Sequence, residues 1–273
     1  MSVSVKRYSM EIIAVLISMF VAIPSLLILL NSFKNQQEAA DLSLSIPQVW
    51  AIWDNYSTVF REAHIIKAFG NTILVTGVSV VGIIMACSLT AYVIQRRNDA
   101  FCRFLRSLLL IGMILPISII TTYMLLKSLN MSGNYVGIIL LYIATSFAFT
   151  TYLYIGFFTG IPREIDEAAS MDGTEGLRLY IKVIFPLLKP INATVFILSF
   201  MTIWNDFNLS LYFLNSPSRF TLSLTVFFFF GQHSADWNLV FADIMIISLP
   251  VITVYLLMQK HIVSGMTAGA IKG

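Results

Sequence analysis

Four carboxylates, Glu164, Asp166, Glu167 and Asp172, fall within nine positions of a 273-residue chain in which only 11% of residues are charged. Clustered acids can act as general acid and base, hold a divalent cation, or present a charged knob to another protein. The first two uses need company: a second titratable group beside the reacting atom, or converging His, Cys, Asp or Glu ligands. The three histidines, His64, His233 and His261, are scattered, and the two cysteines, Cys87 and Cys102, fit neither a disulfide framework nor a metal site. The phosphate-cradling loop G-x-x-x-x-G-K-[ST] is absent. The residues therefore offer no catalytic site and no cofactor or metal site. What remains for the acids is a protein contact or an ordinary solvated connector.

Hydrophobic residues make up 58% of the chain, above the roughly 45–50% of soluble domains. Six long apolar runs, 12–30, 69–94, 107–126, 135–158, 191–213 and 239–258, read as membrane-spanning helices. The first would extend about 28 Å at about 1.5 Å per residue, close to the hydrocarbon thickness. None alternates as the ten-residue strands of a transmembrane barrel do. The expected fold is an all-α integral membrane protein with six spans, a single domain over 1–273. Lys6 and Arg7 precede the first run as in a signal peptide. That run is longer than an ordinary signal core, and "NSFKNQQE" behind it offers no small-x-small cleavage site, so it reads as a retained span.

Six spans put both termini on one side. With the termini inside, twelve Lys and Arg residues fall on the cytosolic side and five outside, in keeping with the positive-inside rule. Outside, Trp50, Trp53 and Tyr56 at helical spacing predict a short interfacial helix within 35–68. Inside, the longest connection is the loop 161–190, which holds the acids.

In that loop, "GIPREIDEAASMDG" reads as a short helix. Pro162 suits its first position, Glu164 and Asp166 complement the positive end of its dipole, and Gly173 suits a left-handed stop. A second helical run, "TEGLRLYIKVIF", is expected to end before Pro186. Ala168 and Ala169 lack large side chains, so a partner's backbone could approach closely there.

The loop resembles the EAA motif of bacterial ABC-importer permeases: E-A-A, three residues, G, nine residues, then I-x-L-P. Here Glu167, Ala168 and Ala169 are followed by Gly173 and then by Val183-Ile184-Phe185-Pro186. Val183 and Phe185 depart from the pattern, apolar for apolar. The tail "HIVSGMTAGAIKG" is similar to the ending of maltose-type carbohydrate permeases, with Gly265, Thr267, Ala268, Gly269, Lys272 and Gly273 in place. "FMTIWNDFNLSLYFLN" is similar to their fifth span. The resemblance covers about 65–273 and implies a type I ABC importer permease fold. In it the loop forms a cytosolic coupling helix, with Glu164, Glu167, Ala168, Ala169, Asp172 and Gly173 at the contact with an ATPase, and the tail 262–273 reaches the ATPase interface. The implied partners are a sister permease, two cytosolic ATPase subunits that bind ATP and Mg, an extracytoplasmic sugar-binding protein and membrane lipid. Nucleic acid has no part in it, and the implied location is a bacterial cell membrane.

Asp206 is an ionisable group within or near a span, and such groups usually face a bundle interior or an aqueous path. Trp204, Asn208, Leu211, Tyr212 and Asn215 recur at three- and four-residue spacing, as on one helical face. With Asn205, they offer aromatic faces and amides suited to a sugar pathway, and serve equally well as glue between helices. Smaller polar groups, among them Thr145, Ser146 and Thr150, divide the same way. The implied function is one half of the pathway of an ATP-driven sugar or oligosaccharide importer, with no enzyme activity on this chain. The alternatives are an ABC permease for another solute and a secondary transporter. The latter would show internal repeats and coupling-ion ligands that the sequence lacks.

Overall fold

The computed structural model describes residues 2–97, 99–230 and 236–270, with side chains from residue 10 to 257. Every regular element among them is helical: α1 (Ser2–Ser32), α2 (Gln36–Ala40), α3 (Ile52–Glu62), α4 (Ile65–Arg96), α5 (Ala100–Ile114), α6 (Ile119–Ser128), α7 (Tyr135–Phe158), α8 (Glu164–Met171) and α9 (Gly176–Leu179). A π-turn at Tyr180–Ile184 leads into α10 (Phe185–Leu187), α11 (Lys189–Trp204), α12 (Asn208–Phe213), α13 (Leu222–Thr225) and α14 (Trp237–Ala270). Four stretches, Met10–Ser32, Ile65–Arg96, Tyr135–Phe158 and Trp237–Leu257, are long and apolar enough to cross a membrane unbroken. Two bent pairs, Ala100–Ile114 with Ile119–Ser128 and Gly176–Leu187 with Lys189–Trp204, bring the number to six when each counts once.

Two of the six expected spans are interrupted. The run 107–126 breaks by 119° because Pro116 pushes the residue before it out of the helical region, and Leu115 is extended at φ −72°, ψ 124°. The run 191–213 stops at Trp204. Asn205 caps α11 and folds its amide back onto the Met201 carbonyl at 2.8 Å, a local bond that competes with continuing the helix. The helix expected within 35–68 is present as α3, but Trp50 lies before it and packs on Phe33 instead, with centroids 6.1 Å apart.

Cys102 sits in the first turn of α5 and is buried. The turn is capped by Asp99, whose Oδ1 accepts from the Cys102 N–H at 2.8 Å. That bond holds the Asp99 carboxyl below its usual range. A carboxylate depressed on folding stabilises above its ordinary pKa and loses that effect as pH falls through the lowered value. Exchange protection of the Cys102 amide should therefore persist near neutrality and fade only at acid pH; protection already absent at neutrality, or unchanged through the acid range, would rule the cap out.

The chain divides into two compact units, Met1–Ala68 with Leu224–Pro250, and Phe69–Ser223 with Val251–Gly273. In the first, residues 10–26 of the opening span are exposed within the chain, and only its end, at Asn31 and Ser32, is buried. Behind it, Lys34 is fully buried, and its ammonium donates to Asn31 Oδ1, Ser43 O and Ser43 Oγ at 2.8–3.0 Å. Asn55 donates to the Ser32 and Lys34 carbonyls and accepts from Asn238 Nδ2 at 2.7 Å. Buried polar groups need such partners to offset lost hydration. In the same unit Asp243, fully buried on α14, accepts from the Thr225 hydroxyl at 2.8 Å. An acid in an apolar run is the usual mark of such a group, and the sequence reading passed over this one.

The second unit packs α5 on α7 and α7 on α11. Its core holds Ile83, Ile138, Tyr154, Ile155, Phe158, Tyr180, Ile184 and Ile197. The buried phenols are tied: Tyr154 donates to Asn192 Oδ1 at 2.7 Å, and Tyr180 shares a hydrogen bond with Ser88 Oγ.

Candidate functional site

The acidic stretch folds as a helix–turn–helix. Arg163 is the N-cap of α8 and Pro162 precedes it, so proline stands just outside the helix and not at its first position. Glu164, Asp166 and Glu167 occupy the first turn, where carboxylates complement the exposed N–H groups. At the other end the Thr174 N–H reaches the Ala169 carbonyl and the Gly173 N–H the Ser170 carbonyl, both at 3.0 Å. These two bonds make a Schellman stop. Gly173 supplies the left-handed residue that the stop requires, at φ +74°.

The second helical run does not end before Pro186. It widens at Tyr180–Ile184 and continues through Pro186 to Leu187. In the wide turn the Phe185 N–H bonds to the Tyr180 carbonyl, five residues back. The shifted register accommodates a residue that has no N–H and would crowd the carbonyl four positions earlier.

Exposure divides α8 into two faces. Glu164, Glu167, Ala168, Met171 and Asp172 are exposed, and Met171 is 89% accessible. Ala169 is buried and Ala168 exposed, so only Ala168 offers the close approach expected of both. Glu164, Ala168 and Asp172 border a hollow of about 450 Å³, with Thr174 and Val183 across it.

The inward face carries Asp166, which the sequence reading assigned only to the helix dipole. Its Oδ2 meets Arg96 Nε at 2.6 Å, and its Oδ1 accepts from the Tyr92 hydroxyl at 3.3 Å. Arg96 ends α4, seventy positions earlier, and no spacing rule connects the two.

The expected pathway residues separate. Trp204 is buried at the end of α11 between Phe69 and Phe200, with centroids 5.9 and 5.0 Å away. Asp206 accepts from the Tyr142 hydroxyl at 2.8 Å and the Ser210 N–H at 3.1 Å, and its carbonyl accepts from Ser223 Oγ at 2.7 Å. It thereby anchors the break to α7 and α12. Asn205, Asn208, Leu211, Tyr212 and Asn215 are exposed. Because α11 stops before Asn208, these residues share no single helical face with Trp204, which corrects the sequence reading.

A separate hollow of about 210 Å³ between α7 and α11 is bordered by Thr145, Ser146, Thr150, Ser199 and Thr202. The last two were not singled out from sequence. Lys272 and Gly273 lie outside the described residues, as does His233. For Gly265, Thr267, Ala268 and Gly269 only the helical backbone of α14 is described.

One chain of the crystal structure of a bacterial ABC transporter involved in the import of the acidic polysaccharide alginate superposes with a TM-score of 0.80, at 23% identity, over 93% of this chain and 96% of that one. That shared architecture, apolar spans joined by an acidic helix–turn–helix, is the type I ABC importer permease fold. The model of the family described as "Binding-protein-dependent transport system inner membrane component" matches residues 78–268. The chain belongs to that family. Among curated relatives, it is 33% identical over 99% of its length to the "Probable starch degradation products transport system permease protein AmyC" of Thermoanaerobacterium thermosulfurigenes, covering 98% of that protein. It is 34% identical to the "Melibiose/raffinose/stachyose import permease protein MelC" of Bacillus subtilis (strain 168), over 80% of each chain.

Proposed function

We propose that the whole chain, 1–273, acts as one membrane half of an ATP-driven importer for a sugar or oligosaccharide. The observation that carries the reading is the exposed acidic face of α8, stopped by Gly173 and free of side-chain bonds at Glu164 and Glu167 among the described residues. The excess of Lys and Arg in one set of loops sets this face, and both termini, in the cytosol. There it docks on one of two ATPase subunits, and the tail around Gly265–Gly269 runs to the interface between them. The chain carries no phosphate-cradling loop, so ATP and Mg belong to those subunits. A sister permease supplies the other half of the path, and a sugar-binding protein delivers solute from outside. Closure of the ATPases draws α8 with it and opens the path outward, and hydrolysis resets it. Differential contacts in two global states drive the exchange. The substrate class is supported by the relatives, whose names specify starch products, melibiose, raffinose and stachyose. Hydroxyls bordering the α7–α11 hollow and the exposed Asn208 and Tyr212 are the groups here suited to a neutral sugar.

The test is purification through a tag on this chain, reconstitution in liposomes, and uptake of radiolabelled maltotriose, melibiose and raffinose. ATPase subunits should co-purify, and at least one sugar should accumulate only with ATP and a loaded binding protein. Uptake by this chain alone in ATP-free liposomes would overturn the reading.

A further inference from the structure

The helix α4 is fastened by side chains at both ends to segments distant in sequence. At its C-terminal end, the Arg96–Asp166 pair is only 14% and 18% exposed. The same guanidinium donates to the Ile161 and Pro162 carbonyls at 3.2 and 3.3 Å, so it grips the entry to α8 as well as its first turn. Arg163 returns the connection, donating to the Gln95 carbonyl at 3.3 Å. At the other end, Asn71 Nδ2 donates to the Ser218 and Phe220 carbonyls at 3.3 and 2.9 Å. The Thr72 hydroxyl accepts from the Leu222 N–H at 2.8 Å.

An eight-residue helix on a short tether, pulled by a partner, would simply swing about residues 159–162. The crossed arginine contacts forbid that swing. We propose that Arg96 and Asp166 are positioning residues that lock α8 to α4, making α4 the rigid link that carries the motor's displacement to the segment 216–222. This rests on the importer reading above. Isolated surface ion pairs contribute little, but this one is largely enclosed, and the same guanidinium adds two carbonyl acceptors, a planar fork that lysine cannot reproduce. A rigid element with a fixed partner at each end is the physical route by which one site biases another.

The test uses the reconstituted complex and whichever sugar of the maltotriose, melibiose and raffinose panel the wild type takes up. The readout is sugar moved per ATP hydrolysed. Asp166→Asn should lower that ratio about tenfold, within the usual range of coupling between sites, with ATPase subunits still co-purifying and ATP still hydrolysed. Arg96→Lys, which keeps the charge and loses the fork, should lower it less. The exchange Arg96→Asp with Asp166→Arg should recover part of the loss. A merely structural pair would reduce assembly, hydrolysis and uptake together and leave the ratio unchanged, which overturns the lock. If Asp166→Asn does not assemble, Arg96→Lys decides by the same ratio. A wild-type complex that takes up none of the sugars or retains no ATPase overturns the importer reading itself.

Discussion

Glu167→Lys is expected to leave the permease in the membrane and to abolish uptake. The carboxylate is exposed on the first turn of α8 and bonds to nothing within the chain among the described residues. Its replacement therefore removes no internal contact, and the bundle should fold and insert normally. A lysine puts positive charge at the positive end of the helix dipole and in place of the acid proposed to meet the ATPase. Disrupting a hydrogen-bonded charge contact at the heart of an interface costs about 2–5 kcal/mol, which is a weakening of roughly 30-fold to several thousandfold. Co-purification of the ATPase should fall accordingly, with permease abundance near wild type. Wild-type uptake per permease would show that the partner does not touch this face.

Gly137→Ala should be the most damaging small substitution for folding. Gly137 lies in the first turn of α7, where its N–H is capped by Asn134 Oδ1 at 2.9 Å. A methyl group there would run into the carbonyl oxygen of Met131. Backbone cannot step aside as a flexible side chain can, and the Met131 N–H is held to Leu126 at 2.8 Å. Overpacking of this kind costs about 1–3 kcal/mol, and this site belongs at the upper end. The expected result is a lowered unfolding midpoint in detergent and a poor yield of assembled permease. An unchanged midpoint would show that α6 and α7 are not joined so closely. By contrast, the space around Gly173 is open, so alanine there costs only the left-handed backbone, about 1–2 kcal/mol.

The existence of the spans was legible in the sequence because a run of apolar residues is a one-dimensional signal. Their interruptions were legible only in part. Pro116 was in view inside the third run, yet composition outweighed it. Asn205 gave less warning, since its role depends on a side-chain bond that a linear pattern does not show. The acidic helix and its glycine stop followed from local rules, and both stand as expected on the backbone. The division of labour between Ala168 and Ala169 did not, because which alanine faces inward depends on where α8 lies against its unit. Asp166 was assigned only a local job, as a dipole partner, and Arg96 stood unnamed among the inside charges. Their pairing is tertiary, and spacing rules stop at the end of an element. Asp243 is the plainer omission: an acid in an apolar run needed only to be noticed.

The length of α4 reaches beyond coupling. Its 32 residues extend about 48 Å, well past the roughly 30 Å of a bilayer's oily interior. Such a helix must project into the headgroups or lean, and the lean follows the thickness of the surrounding lipid. Because both ends are tied, any change of inclination drags Asp166 and the 216–222 segment with it. Acyl-chain length thereby becomes a setting of the transporter, and vesicles of short and long lipids should tune the same two contacts in opposite senses.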